Sequence, residues 1–266
     1  MRESRETTET GAHVSLVSFI SPVSLISFLS LSAPTPMKTF IVASSPNAIE
    51  PDGLRPAPGD LVIAADGGAN WCVAWGWQPD LVIGDMDSVA ADVAERLRSM
   101  GVPFVQHPVE KDETDLELAL RAAVEQGAEE IVVAATLGGR IDHTLGNLAL
   151  LALPLLAGAR VRMVDGDQSI WLVREQLEVV GAAGDTVSLI PFGGDAHGVS
   201  VTGVHWPLDD AYLRLGPSLG ISNRLVGSRA VVTVRTGALL VVHVRAGSES
   251  RLQPGASSRH VAGRPG

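Results

Sequence analysis

Leu81-Val82-Ile83-Gly84-Asp85-Met86-Asp87-Ser88 is the stretch on which the fold turns. Its first three residues are apolar without alternation, the pattern of a strand covered on both faces. The run stops at a glycine and two carboxylates, and a helical pattern starts near Val89. The same order recurs twice. Phe104-Val105 is followed by Lys111-Asp112-Glu113-Thr114-Asp115, and Ile131-Val132-Val133 by Gly138-Gly139-Arg140-Ile141-Asp142-His143. Carboxylates at successive strand ends of an open sheet suggest one converging site for a metal and a phosphate.

Working outward, apolar runs at 39–43, 61–65, 81–83, 103–106, 131–135 and 161–164 alternate with helical patterns near 69–77, 89–99, 115–126 and 143–156. In the third helix Leu116, Ala119, Leu120, Ala123 and Val124 form one stripe, with Thr114 placed to cap it and Gly127 just past its end. Alternating β and α elements predict a parallel, Rossmann-like α/β domain over residues 37–165. Beyond Asp165 the helical period vanishes. Strand-like runs at 170–173, 186–190, 199–201, 230–234 and 239–244, separated by Gly, Pro and Asp, predict an all-β domain, a sandwich or barrel, over 166–246. Residues 1–36 are Ser-rich and lack a positive n-region, so they are expected to be a disordered or mis-assigned extension ahead of Met37. The Ser-, Gly-, Arg- and Pro-rich tail 247–266 is expected to be disordered.

The 266 residues carry a formal charge of -10, which argues against a nucleic-acid binder. Any phosphate must then be met locally, by metal, Arg or backbone N–H groups. No clean apolar span of membrane length appears. The single cysteine, Cys72, lies in an apolar run and reads as a small buried hydrophobe; one cysteine fits a cytoplasmic protein.

Each candidate residue also has a plain structural role. Asp85 and Asp87 are two apart, so on extended backbone they point the same way, and a cation such as Mg²⁺ would relieve their repulsion; they equally suit a turn or a cap. Asp115 sits where a helix dipole favours an acid. Lys111 suits a phosphate or an ion pair. Asp66-Gly67-Gly68 allows a tight turn into a helix N-terminus that can receive phosphate or ribose. Arg140 offers a planar fork for phosphate, Asp142 can cap the next helix, and His143 and Asn147 share one face of it. In the β half, Trp206 is either a stacking surface or core, and Ser222 and Asn223 are either turn residues or ring-nitrogen partners. Neither a G-x-G-x-x-G fingerprint nor a Walker A sequence is present.

In this order and spacing, Asp66-Gly67-Gly68-Ala69, Pro79-Asp80 leading into Gly84–Ser88, Lys111–Asp115, Gly138–His143 with Asn147, Gly203–Leu208 and Ser218–Asn223 resemble the thiamine pyrophosphokinase family, from about Met37 to Arg245. The resemblance implies a parallel α/β domain plus a β-sandwich, and transfer of a pyrophosphoryl group from ATP to the thiamine hydroxyl, giving thiamine diphosphate and AMP. It implies a homodimer with sites between subunits. It assigns Asp85, Asp87 and Asp115 to Mg²⁺, and these with Arg140 to catalysis. Asp66, Gly67, Gly68, Lys111, Arg140, Asp142 and Asn147 fall to the ATP side, and Trp206, Ser218, Ser222 and Asn223 to the thiamine side. Three rivals are a pyrophosphokinase acting on a pterin alcohol, a regulator that binds nucleotide or thiamine without turnover, and a dinucleotide-dependent oxidoreductase, which the missing glycine fingerprint disfavours.

Overall fold

The computed structural model describes residues 38–247; the expectations for residues 1–36 and for the tail beyond Gly247 lie outside them. The first half alternates as expected. Strands β1 (Lys38–Val42), β2 (Leu61–Ala65), β3 (Leu81–Gly84), β4 (Phe104–Gln106), β5 (Glu130–Ala134) and β6 (Arg160–Asp165) lie parallel in the order β6-β5-β1-β2-β3-β4. Between them run helices α1 (Gly68–Trp75), α2 (Ala91–Ser99), α3 (Asp115–Glu125) and α4 (Ile141–Leu150).

The apolar runs lack alternation because both faces of these strands are covered. Ile41, Ile63 and Ile83 pack on one side with Leu116, Ala119 and Leu120 of α3. Phe40, Val62 and Val82 pack on the other with Cys72, Trp75 and Trp77. Each large buried side chain in these two layers contributes about 1.5–3 kcal/mol by leaving water. Burial also pushes the Cys72 thiol up to about 12, so it stays an unreactive small hydrophobe.

Two boundaries differ from the expectation. The first is at α4, which starts at Ile141 after an extended Arg140 and ends at Leu150, short of 156. Pro154 forces Leu153 into extended backbone, and a short 3-10 turn, Pro154–Leu156, follows. Asp142 is therefore inside the first turn and not the cap. The second is at α2, which starts at Ala91, with the Asn70 side-chain oxygen accepting from the Ala90 N–H, so Asp87 does not cap it either.

The β half contributes β7 (Gln168–Val173), β8 (Gln176–Val180), β9 (Thr186–Pro191), β10 (Ala196–Thr202), β11 (Leu208–Leu213), β12 (Asn223–Arg224), β13 (Arg229–Thr233) and β14 (Leu239–Val244). These form a sandwich around Val179, Val187, Leu189, Val199, Val232 and Val241. One of its sheets, β12-β9-β14-β7, is continuous with the parallel sheet, because β7 turns back antiparallel on β6. Among the described residues this makes one ten-stranded sheet, with a second, four-stranded sheet β11-β10-β13-β8. No helix among the described residues is long and apolar enough to cross a membrane.

One polar pair is buried in the sandwich. His243 Nε2 lies 2.8 Å from Asp185 Oδ2, and both side chains are buried. Asp185 also accepts from the N–H groups of Ala182 and Ala246, each within 2.9 Å. Gly181 leaves the room, since a Cβ there would collide with Asp185 Oδ2. Burial pushes the Asp185 carboxyl up, but the hydrogen bonds from Ala246, Ala182 and His243 outweigh it and hold it below the usual carboxylate range. A depressed folded value stabilises the fold above the unfolded value, about 3.9, and that stability is lost as pH falls through the folded value. Asp185→Asn is therefore expected to lose about 2 kcal/mol at pH 7, with the gap to wild type closing below about pH 4. Urea unfolding at both pH values checks this; a gap of constant size would refute it.

Candidate active site

The parallel strand order reverses at β1, which has β2 on one side and β5 on the other. The chain leaves β1 toward β2 and leaves the adjacent β5 the other way, toward β6, so a crevice opens at the strands' carboxyl ends. A cleft of about 740 Å³ lies there. Ser44, Ser45 and Pro46 after β1 line it, with Asp66 after β2, Asp85 and Asp87 after β3, and Thr136 and Arg140 after β5. Helix α4 turns one face to it, His143, Gly146, Asn147 and Leu150, the spacing of a single helical stripe.

Glycines bring the acids together. A Cβ on Gly68 would strike the Val42 carbonyl, so α1 begins directly against the end of β1. Gly84 has φ 149°, and a Cβ there would stand 2.9 Å from Asp66 Cβ and 3.0 Å from Asp115 Cγ. Asp66 is buried with φ 46°; its N–H donates to the Ile83 carbonyl and its own carbonyl accepts from the Ala69 N–H. Asp85 Oδ1 accepts from the Asp87 N–H at 3.1 Å, and Asp87 Oδ1 from the Ser88 hydroxyl at 2.7 Å. One carboxylate oxygen from each of Asp66, Asp85 and Asp87 falls within 4.8 Å of the others. Three hard oxygen donors open to a phosphate-sized cleft suit a Mg²⁺ ion that keeps part of its water.

The expectation put Asp115 with Asp85 and Asp87. The three carboxylates whose oxygens group within 4.8 Å are Asp66, Asp85 and Asp87, while Asp115 stands against the same Gly84 as Asp66, with its Oδ1 3.0 Å from Lys111 Nζ. Lys111 also reaches Asp85 Oδ2 at 3.4 Å and the Pro108 carbonyl at 3.1 Å. Two of these contacts are hydrogen bonds, to Asp85 and Pro108, and the third, to Asp115, is an ion pair. Burial works against the charge of Lys111, but Asp115 and Asp85 outweigh it and hold the ammonium above its ordinary value. The Asp115 carboxyl is raised: burial acts first, Lys111 pulls the other way, and the charges of Asp85 and Asp66 add to the rise.

On the far wall Arg140 and Asp142 form a fork, at 3.1 and 2.6 Å. That hydrogen bond draws the Asp142 carboxyl down to about 2. Both side chains are exposed, at 72% and 62%, so the pair is free to open toward a ligand. Asn147 donates to the Thr136 carbonyl at 2.9 Å, which ties α4 to the end of β5. Gly67 and Gly68 shape the turn behind Asp66 and do not themselves line the cleft.

The β-half residues lie elsewhere. Trp206, Ser218 and Ser222 are exposed, and Asn223 is buried; none lines this cleft. Asn223 is held internally. Its Oδ1 accepts from the N–H groups of Trp206 and Arg224, and its Nδ2 donates to the Trp206 carbonyl at 2.6 Å. It clips the Trp206 loop to β12. Ser44, Ser45 and Thr136 went unremarked in the sequence. The signal for them was their place just past β1 and β5, the two strands that flank the reversal. Trp71 Nε1 donates to the Ser45 carbonyl at 2.8 Å, so α1 fixes that wall.

A doubly wound sheet with acids gathered at its reversal, continued into a β-sandwich, marks the chain as a transferase working at phosphate. Residues 57–163 match the family described as thiamin pyrophosphokinase, catalytic domain, and residues 173–241 match the thiamin pyrophosphokinase vitamin B1 binding domain. Thiamine pyrophosphokinase of Bacillus subtilis is 32% identical over 211 residues, which are 77% of this chain and 98% of that protein. Its crystal structure superposes with a TM-score of 0.72 at 30% identity, covering 79% of this chain and 99% of the other. Thiamine pyrophosphokinase 1 of Oryza sativa subsp. japonica is 29% identical over 189 residues, 61% of this chain and 71% of that one. Yeast thiamin pyrophosphokinase, at 15% identity and a TM-score of 0.65 over 80% of this chain and 87% of its own, shares the fold. The chain belongs to the thiamin pyrophosphokinase family.

Gly84→Ala is expected to shift Asp66 and Asp115 by a fraction of an ångström and to lower kcat/KM on the order of 100-fold. Gly59, also at positive φ but with nothing within 4 Å, is the control. Gly59→Ala leaves turnover unchanged, and equal losses in both variants, by steady-state kinetics, would refute the packing role of Gly84.

Proposed function

We propose that the protein transfers a pyrophosphoryl group from ATP to the hydroxyethyl oxygen of thiamine, giving thiamine diphosphate and AMP. The observation that carries this reading is the convergence of Asp66, Asp85 and Asp87 at the ends of β2 and β3, facing Arg140 across the cleft that opens at the sheet's reversal. In the reaction the thiamine hydroxyl attacks the β-phosphorus of ATP and AMP leaves, so charge spreads over bridging and terminal oxygens. Asp66, Asp85 and Asp87 would hold Mg²⁺, which neutralises phosphate oxygens when bound. Arg140, released from Asp142, forks onto a phosphate and stabilises the developing charge. The α4 face with His143, Gly146 and Asn147 orients the nucleotide. Incubation with ATP, Mg²⁺ and thiamine should yield AMP in step with thiamine diphosphate. Formation of ADP, or turnover of a pterin alcohol in place of thiamine, would overturn the reading.

We assign Lys111 as a fixed internal cation and not a phosphate ligand, because it is paired with Asp85 and Asp115 and held by the Pro108 carbonyl. Removing a positive charge next to Asp85 makes the metal site more negative. Lys111→Met should therefore lower the half-saturating Mg²⁺ concentration about tenfold and lower kcat about tenfold, with KM for ATP changing less than about twofold. A raised KM for ATP with unchanged Mg²⁺ dependence would return Lys111 to the phosphate.

No residue of the thiamine-side segment lines the cleft of its own chain, which supports a homodimer with sites completed across subunits. Exposed apolar side chains lie on both proposed halves of such an interface: Ile141 and Leu145 on α4, and Trp206, Leu215, Leu219 and Ile221 on the β half. A cytoplasmic setting, rich in ATP and Mg²⁺, fits this chemistry. Asp87→Asn and Trp206→Ala should each cut turnover by at least about 100-fold as pure proteins. Co-refolded at equal amounts, they should regain a substantial fraction, because mixed dimers hold one intact site. No recovery on mixing would overturn the shared site.

A further inference from the structure

A second cavity, of about 300 Å³, lies apart from the cleft, in the crease where the sandwich's second sheet ends against the ten-stranded sheet. Its floor is one face of β6 and β7: Arg162 and Val164 beside Ser169 and Trp171, in strands paired as Met163 with Ile170. Strand β8 forms one wall with Glu178. The segment around Asp52 and Arg245 forms the other.

Arg162 is the anomaly. Among the described residues its guanidinium makes no ion pair, and its buried Nε has no hydrogen-bond partner. Burial draws its pKa below the usual value, with Glu130 opposing and Arg245 adding to the fall. A desolvated charge without a counter-ion is costly unless something pairs with it. The carboxylates at the cavity rim have arginines of their own: Glu178 with Arg229 and Asp52 with Arg245, each at 3.8 Å. Gln168 and Ser169, beside Arg162, add uncharged polar groups to the lining.

We propose that this crease is a second ligand site that takes the oxyanion of a small molecule, a phosphoryl or carboxylate group forked on Arg162. The site is open to a ligand with one compact anionic end, and its volume sits at the lower bound for small-molecule pockets. Occupation supplies the missing counter-ion at the joint between the parallel strands and the sandwich. This assignment does not depend on the reaction at the cleft.

The test is calorimetric titration in EDTA with inorganic pyrophosphate, AMP and citrate in separate arms. The full-length wild-type protein is compared with Arg140→Gln, which alters the cleft, and Arg162→Gln, which alters the crease. Saturable binding of at least one anion is expected in wild type and Arg140→Gln, weakened at least tenfold in Arg162→Gln. The tightest arm tells a free phosphate, a nucleotide phosphate and a carboxylate apart. Turnover of Arg162→Gln at saturating substrates stays within twofold of wild type. Should that variant not fold, phenylglyoxal labelling of the unaltered protein gives the answer: the anion should slow modification of Arg162 at least tenfold. No saturable binding in any arm, equal binding by Arg162→Gln, or labelling of Arg162 indifferent to the anion would each overturn the site.

Discussion

Like charges packed at two neighbouring strand ends are the constraint that shapes this molecule. Asp66, Asp85 and Asp87 bring carboxylate oxygens within 4.8 Å, and Asp115 lies against the same glycine as Asp66. Unit charges ~4 Å apart repel by ~4 kcal/mol at the effective dielectric of a protein surface. The local structure is arranged around that repulsion. Lys111 takes Asp115 and one oxygen of Asp85, backbone N–H groups of Asp87 and Ser88 serve Asp85 and Asp66, and Asp87 stays exposed to water. Left-handed backbone at Asp66 and Met86, φ 46° and 72°, follows from aiming these groups inward, as strain at a site that a rigid sheet over-determines. What repulsion remains is available to a divalent cation.

That acids would gather was legible, because each follows an uninterrupted apolar run. Which three bring their oxygens closest together was not. The choice between Asp66 and Asp115 rests on where Lys111 reaches, a contact spanning 26 residues to Asp85 that no local pattern encodes. Asn223 shows the same limit: its residue type suits a turn or a ligand contact, and the bonds across 17 residues by which it clips the Trp206 loop are not encoded in any local pattern. Among the strands, β8, β11 and β12 escaped notice, and all three are sheet edges. Gln176, Glu178 and the pair Asp209-Asp210 keep such edges polar and unattractive to other chains, and so remove the hydrophobic signal by which strands are read. Helix α4 was placed by its periodicity, but its end was governed by Pro154, whose effect on Leu153 outweighs the apolar residues that continue past it.

The change of pattern at Asp165 marks a change of strand direction and not a break in the sheet. The β6–β7 pairing carries the ladder from the parallel half into the sandwich, through Met163 with Ile170 and Asp165 with Gln168. Ile170 and Leu240, from the antiparallel strands, share a core with α3 and the central strands. The two halves therefore have a common hydrophobic layer and are held in a fixed relation by hydrogen bonds as well as packing. At the same joint neither helix nor second sheet covers β6 fully on the opposite face, and the crease around Arg162 is what remains of that gap.

A rigid joint has a consequence for the site. Because the sandwich cannot swing on β6–β7, the Trp206 loop is not carried to the cleft of its own chain by a hinge. The loop is itself tied down, by Asn223 to β12 and by the Leu225 N–H donating to the Asp185 carbonyl, close to the buried Asp185–His243 pair. The Trp206 main chain is held in this way while its side chain is left 58% exposed, among other uncovered apolar side chains of the sandwich. Under the proposed dimer, the rigidity that keeps the two halves of one chain apart would hold the halves of two chains at a constant distance. A hydroxyl attacking a β-phosphorus needs that, since alignment to within a few tenths of an ångström governs the rate.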